Sequence, residues 1–235
     1  MELGLSSDCG KVRDINEDSY LQLDNSKYKI FAVADGMGGH NAGELASSIA
    51  IDVLKDYNFD LENMSISLTE AIQFINKKIL NKARSNVKYE GMGTTLTTAI
   101  LVDDQLYIGH VGDSRIYLLR DGEFKQLTED HSLVNQLVKA KEITSNEARN
   151  HPQSHILLQA LGTEERIDID IIEMQMESND LILLCTDGLN SVLKDDIIKK
   201  VLLDNQSLQE KADRLIQMAN KAGGQDNITV NLFTR

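Results

Sequence analysis

The sequence predicts an α+β fold in which β-sheets are layered with helices. Three observations lead there. Short apolar runs suited to buried strands recur along the chain, and several of them stop at an acidic turn. Stretches with helical periodicity fall between these runs, in pairs. Across 235 residues there is no internal repeat, low-complexity tract or proline-rich linker, so a single domain, 1–235, is expected.

Composition narrows the function. Hydrophobic residues make up 41% of the chain and charged residues 26%, as in ordinary soluble globular proteins. No apolar stretch has the length a bilayer requires, and no basic segment followed by an apolar one opens the chain, so a cytoplasmic protein with no membrane role is expected. The formal net charge of −13 argues against nucleic acid as a partner, because phosphate backbones need concentrated Lys and Arg. A phosphorylated substrate remains compatible with that charge if bound cations reverse it locally. Cys9 and Cys185 form no Cys-x-x-Cys or zinc pattern and are expected to be reduced, buried thiols.

In order along the chain, residues 3–9 and 19–23 have strand character and flank a loop, Arg13-Asp-Ile-Asn-Glu-Asp18. Residues 30–34 form an apolar strand expected to end at Asp35, followed by Gly36, Gly38 and Gly39. Ala42, Leu45, Ala46, Ile49, Ala50, Val53 and Leu54 then follow the spacing of an amphipathic helix. A second helix is expected from Ser67, where Ser67 and Glu70 have capping-box spacing, with Leu68, Ala71, Ile72, Ile75 and Ile79 as its core face. Residues 94–102, 105–110, 114–120 and 123–127 are rich in Thr and branched side chains. With Asp103-Asp104 and Asp121-Gly122 as hairpin turns, they predict an antiparallel meander.

Short helices are expected at 132–140, 145–149 and 154–160, with the single proline, Pro152, between the last two. The polar connectors make 139–154 a candidate flap. Strands at 167–176 and 181–185 follow, then helices at 195–203 and 207–221. The latter opens with a Ser207–Glu210 capping box and stops at Gly223-Gly224. Residues 228–233 form the last strand.

The chemistry lies in the turns. Asp35-Gly36 and Asp187-Gly188 each close an apolar strand, Gly223-Gly-Gln-Asp-Asn227 supplies Asp226, and Gly112-Asp-Ser-Arg115 supplies Asp113. Singly, each resembles an ordinary turn. Together with Glu17 and Asp18, which stand beside the cationic Arg13, they form an oxygen-rich set suited to hard cations rather than zinc.

These ordered motifs, spanning residues 3–233, resemble the metal-dependent serine/threonine phosphatases of the protein phosphatase 2C family, in a form like its bacterial branch. The resemblance implies an αββα sandwich of two antiparallel sheets flanked by helix pairs. It also implies two Mn2+ or Mg2+ ions, bridged by Asp35 and held by the Gly36 carbonyl, Asp187 and Asp226. Glu17 and Asp18 would hold water on the metals, which would activate a bridging water or hydroxide to attack phosphorus directly. Arg13 would grip phosphate oxygens, and His40 would protonate the leaving group. Asp113 would serve a third, weaker ion together with Asp187, because Ser191 stands where some relatives have an aspartate. Phosphoserine and phosphothreonine proteins are the implied substrates, with an opposing serine/threonine kinase; a monomer is the default expectation. The alternative is a catalytically silent phosphoprotein-binding sensor of the same fold. His110 and His131 are expected to be structural.

Overall fold

Alternation along one strand accounts for the layering. In Lys29–Met37, Ile30, Ala32 and Ala34 enter one apolar cluster while Phe31 and Val33 enter another, and all are buried. A strand buried on both faces needs cover on both sides, which only a multilayered fold supplies. The computed structural model describes residues 1–38 and 42–235.

The first sheet contains β1 (Leu3–Asp8), β7 (Arg115–Arg120), β8 (Glu123–Gln126), β10 (Leu181–Cys185) and β11 (Ile228–Thr234), in the order β1-β11-β10-β7-β8. The second contains β2 (Asp18–Asp24), β3 (Lys29–Met37), β5 (Leu96–Val102), β6 (Gln105–Val111) and β9 (Asp170–Gln175), in the order β2-β3-β5-β6-β9. A short β4 (Gly93–Thr94) pairs with β3. Every pairing between these strands is antiparallel.

Three apolar layers separate four layers of structure. Helices α1 (Ala42–Asp56) and α2 (Met64–Arg84) cover the second sheet through Ala46, Leu54, Leu68, Ile72 and Ile79. Phe31, Val33, Ile116, Ile182, Leu184 and Phe233 fill the space between the sheets, where the Phe31 and Phe233 rings stack at 3.8 Å. Helices α6 (Asp195–Leu203) and α7 (Leu208–Lys221) cover the first sheet. The αββα sandwich is therefore present.

Several local expectations are corrected. The strand expected to stop at Asp35 runs on to Met37, because Gly36 and Met37 pair with Thr94 and Gly93. Helix α2 starts before the expected cap: Ser67 lies inside it, and its hydroxyl accepts from the Asp60 N–H instead. Residues 154–160 form no helix; Leu157 bridges to Ser132 and Leu161 to Thr94. The meander is split, since β5 and β6 belong to one sheet and β7 and β8 to the other.

The crossing occurs at Gly112, whose φ of +116° few side chains tolerate. Helices α3 (Leu133–Lys139) and α4 (Ser145–Arg149) form as expected, capped by Ser132 and by a Thr144–Glu147 capping box. A further short helix, α5 (Asp187–Asn190), starts at the second Asp-Gly. Both cysteines are free; Cys185 is buried, but Cys9 is only partly so, its thiol donating to the Arg13 carbonyl. Among the described residues no helix is long and apolar enough to cross a membrane.

Candidate metal centre

The acidic turns meet at one end of the sandwich because the strands that carry them belong to facing sheets. Asp18 begins β2 and stands directly opposite Asp35 of β3. Asp187 follows the end of β10 as the first residue of α5, and Asp226 lies just before β11, separated from it by Asn227. Asp113 lies in the turn where the chain passes from β6 to β7.

Asp35 is held by its backbone. Its N–H donates to Thr95 Oγ1 at 2.9 Å, and its carbonyl accepts from the Thr95 N–H and from Thr94 Oγ1. Asp18 is buried, and its Oδ2 accepts from the hydroxyls of Thr186 at 2.8 Å and Thr229 at 2.7 Å. Its Oδ1 is buried with no partner among the described residues, and so is Asp187 Oδ1. Orphaned carboxylate oxygens in the interior are costly.

The Asp187 carboxylate also lies within hydrogen-bonding reach of Asp35, a contact that favours the charged form of Asp187 against burial and the charge of Asp226. Burial, followed by neighbouring carboxylates, raises Asp35 and Asp113 well above the usual carboxylate range. Burial likewise takes Asp18 to about 7 and Asp187 to about 6. Two such groups in contact require either a proton or a cation between them.

An all-oxygen donor set with unpartnered buried oxygens fits Mn2+ or Mg2+, which take oxygen ligands. Among the described residues no three His, Cys, Asp or Glu side chains already close around a single point. Mg2+ commonly binds through one or two carboxylates and retains waters, so a spread set remains suited to such ions.

The surrounding residues hold the frame. Glu17 accepts from the backbone N–H groups of Gly43 and Glu44 in the first turn of α1, where the helix dipole favours a negative charge. Its backbone N–H donates to Asn227 Oδ1 at 2.8 Å, and Asn227 Nδ2 reaches the carbonyls of Cys9 and Ile15. Gly36 donates its N–H to the Glu17 carbonyl, and a Cβ on Gly36 would lie 2.3 Å from the Gly43 carbonyl oxygen. Arg13 is half-exposed and ion-pairs with Asp226 at 2.9 Å, so one face of its fork is already engaged. His40 lies outside the described residues.

A cleft of about 570 Å3 opens beside Asp113 and Asp187. Val134 and Val138 of α3 and Arg149 of α4 also line it. Arg149 crosses to the Asn190 carbonyl at 3.2 Å and to Asp195 at 3.6 Å. Arg115 forms a bidentate pair with Asp130 and draws the Asp113 pKa down against the effect of burial.

Sequence reasoning passed over Thr95, Thr186, Thr229, Asn227 and Gly43. A signal existed for some of them: Thr229 and Asn231 interrupt an otherwise apolar last strand, so a polar partner had to face them. Asn231 meets the Leu21 and Ala32 carbonyls, and Thr229 meets Asp18.

A pH effect follows for the metal-free protein. Asp18 and Asp187 titrate higher folded than their ordinary value of 3.8, so the folded state binds more protons than the unfolded state between the two values. Their ionisation therefore costs stability above pH 7, and that cost is relieved as pH falls through 7 and 6 toward 3.8. In EDTA the melting temperature should rise on going from about pH 7.5 to about pH 5.5. A melting temperature that fell over this range in chelator, followed by circular dichroism, would contradict the assignment.

The protein phosphatase 2C family profile matches residues 9–232. The serine/threonine phosphatase stp of Listeria innocua is 42% identical over 242 aligned positions, covering 100% of this chain and 96% of that protein. The crystal structure of serine/threonine phosphatase Stp1 from Staphylococcus aureus superposes with a TM-score of 0.94 at 34% identity, covering 100% of this chain and 95% of that one. The catalytic domain of the serine/threonine protein phosphatase PstP, solved with two manganese ions, gives a TM-score of 0.88 at 36% identity. That match covers 98% of this chain and 96% of that one.

Proposed function

The chain belongs to the protein phosphatase 2C family, and on that premise we propose that it is a metal-dependent protein phosphatase that hydrolyses phosphoserine and phosphothreonine esters. The observation that carries the reading is the contact between the Asp35 and Asp187 carboxyl groups, brought together from facing sheets beside unpartnered oxygens of Asp18 and Asp187.

Asp35, Asp187, Asp226 and the Gly36 carbonyl would hold two Mn2+ or Mg2+ ions. Asp18 and Glu17 would orient water around them, and Asp113 with Asp187 would serve a third, weaker ion. Divalent ions held there supply Lewis acidity, lowering the pKa of a water nucleophile and offsetting phosphate charge. Asp18 is well placed to orient water because two threonine hydroxyls fix one of its oxygens and leave the other free. Arg13, tethered by Asp226 at the rim, would direct its remaining N–H donors to the phosphate oxygens. His40 keeps the role assigned from the sequence, protonation of the departing serine or threonine oxygen. Residues 139–154, which contribute α4 to the cleft wall, would act as a flap over the substrate peptide. A serine/threonine kinase in the same compartment, the cytoplasm, would supply phosphoproteins to a monomeric enzyme.

The test is phosphate release from p-nitrophenyl phosphate and from a phosphothreonine peptide with Mn2+ added. Activity should disappear in EDTA and return with excess Mn2+. Tight binding of the phosphopeptide without turnover under those conditions would favour the silent sensor instead.

A further inference from the structure

The turn that carries Asp113 is held by a residue outside both β6 and β7, the strands it joins. Gly112, at φ +116°, gives that turn its direction, and a glycine left to itself samples more backbone conformations than any other residue. His131 removes that freedom with two bonds. Its backbone N–H donates to the Gly112 carbonyl at 2.7 Å, and its ring Nδ1 accepts the Gly112 N–H at 3.2 Å.

With Nδ1 accepting, the neutral ring carries its proton on Nε2, which faces Asp170 Oδ2 at 3.1 Å. Asp170, at the start of β9, thus sets the tautomer that grips Gly112. The ring of His110 packs against His131 at 4.8 Å and is itself fixed by Thr97 and the Glu129 carbonyl. The His131 carbonyl accepts from the Leu158 N–H at 2.7 Å, next to the Ser132–Leu157 bridge. One residue therefore ties the Asp113 turn to the base of the excursion that contains α3 and α4.

We propose that His131 is a positioning residue that clamps Gly112 and thereby directs Asp113 toward Asp187, an inference that rests on the reading of Asp113 as part of the phosphatase centre. An asparagine can place an acceptor close to the position of Nδ1. A glutamine loses that acceptor while keeping a donor that reaches toward Asp170.

The test is a double-mutant cycle on p-nitrophenyl phosphate and phosphothreonine peptide, together with amide hydrogen exchange of the metal-free protein. His131→Gln should lower kcat by about 10- to 100-fold, the usual cost of losing a residue that orients a metal ligand. His131→Asn should restore most of that loss. In an Asp113→Ala background His131→Gln should cost nothing further, because residues acting through one another are not additive. Exchange at the Gly112 amide should speed up in His131→Gln and not in His131→Asn.

Equal losses from His131→Gln with and without Asp113 would reduce His131 to a structural residue and overturn the proposal, as would unchanged Gly112 protection. Full activity of Asp113→Ala would remove Asp113 from the centre and the proposal with it. If circular dichroism shows His131→Gln unfolded, Asp170→Ala replaces it, with the same non-additivity toward Asp113 expected and additive losses counting against the clamp.

Discussion

Asp187→Asn is expected to lower turnover by at least about 100-fold while making the metal-free protein more stable. The first part follows from the donor set. Residues that merely orient metal ligands typically cost about 10- to 100-fold when removed, and a group that would bind the ions directly should cost no less. The second part follows from the surroundings. The Asp187 carboxylate is pressed against Asp35, its pKa raised to about 6 by burial and by the charge of Asp226. A neutral amide of the same size removes that buried charge and its repulsion with Asp226. Turnover on p-nitrophenyl phosphate and melting in EDTA, measured on the same preparation, separate the two effects. A variant that lost activity because it had unfolded would melt lower. One that kept wild-type activity would take Asp187 out of the chemistry.

Gly188→Ala is expected to disable the same site through the backbone. A Cβ at position 188 would lie 2.0 Å from the Asn227 carbonyl oxygen and 3.1 Å from Ile228 Cγ1. Neither is the free end of a flexible side chain, so α5 and the turn before β11 would have to separate. Overpacking of this kind typically costs about 1–3 kcal/mol. In a chain of this size each kcal/mol moves the melting temperature by about 2–4 °C. Activity should suffer more than stability, since Asn227 fixes the Glu17 backbone and spans to Cys9 and Ile15. An alanine variant with unchanged melting and turnover would mean that the close approach of these two turns has no role.

The two glycine-ended aspartates were legible in the sequence because each follows an apolar run that can only be a buried strand. The helix faces of α1 and α2 were legible for a similar reason: periodicity records which side is covered. What could not be read was decided at a distance. Hairpin signals at Asp103-Asp104 and Asp121-Gly122 are local and correct, yet they are silent on which sheet each hairpin joins. That depends on β7 finding β10 across the chain. Ser67 and Glu70 have the spacing of a cap, but Ser67 was taken by Asp60 from the preceding loop. The aspartates themselves were visible, whereas that the hydroxyls of Thr186 and Thr229 converge on Asp18 was not, since the three lie far apart in the chain. His131, expected to be structural, gains its meaning only when Gly112 is placed beside it.

The order β1-β11-β10-β7-β8 places the last strand of the chain inside its sheet, between the first strand and β10. During synthesis β1 has no partner until β11 emerges, so the pairing that completes this sheet waits until residues 228–234 have been made. Such long-range closure is intrinsically slow, and an unpaired β1 offers a bare edge to other chains meanwhile. Asp226 lies just before β11, with only Asn227 between. A nascent chain that has made every other carboxylate proposed for the site is therefore still without a finished centre, and the emergence of residues 226–234 is the step that would complete it.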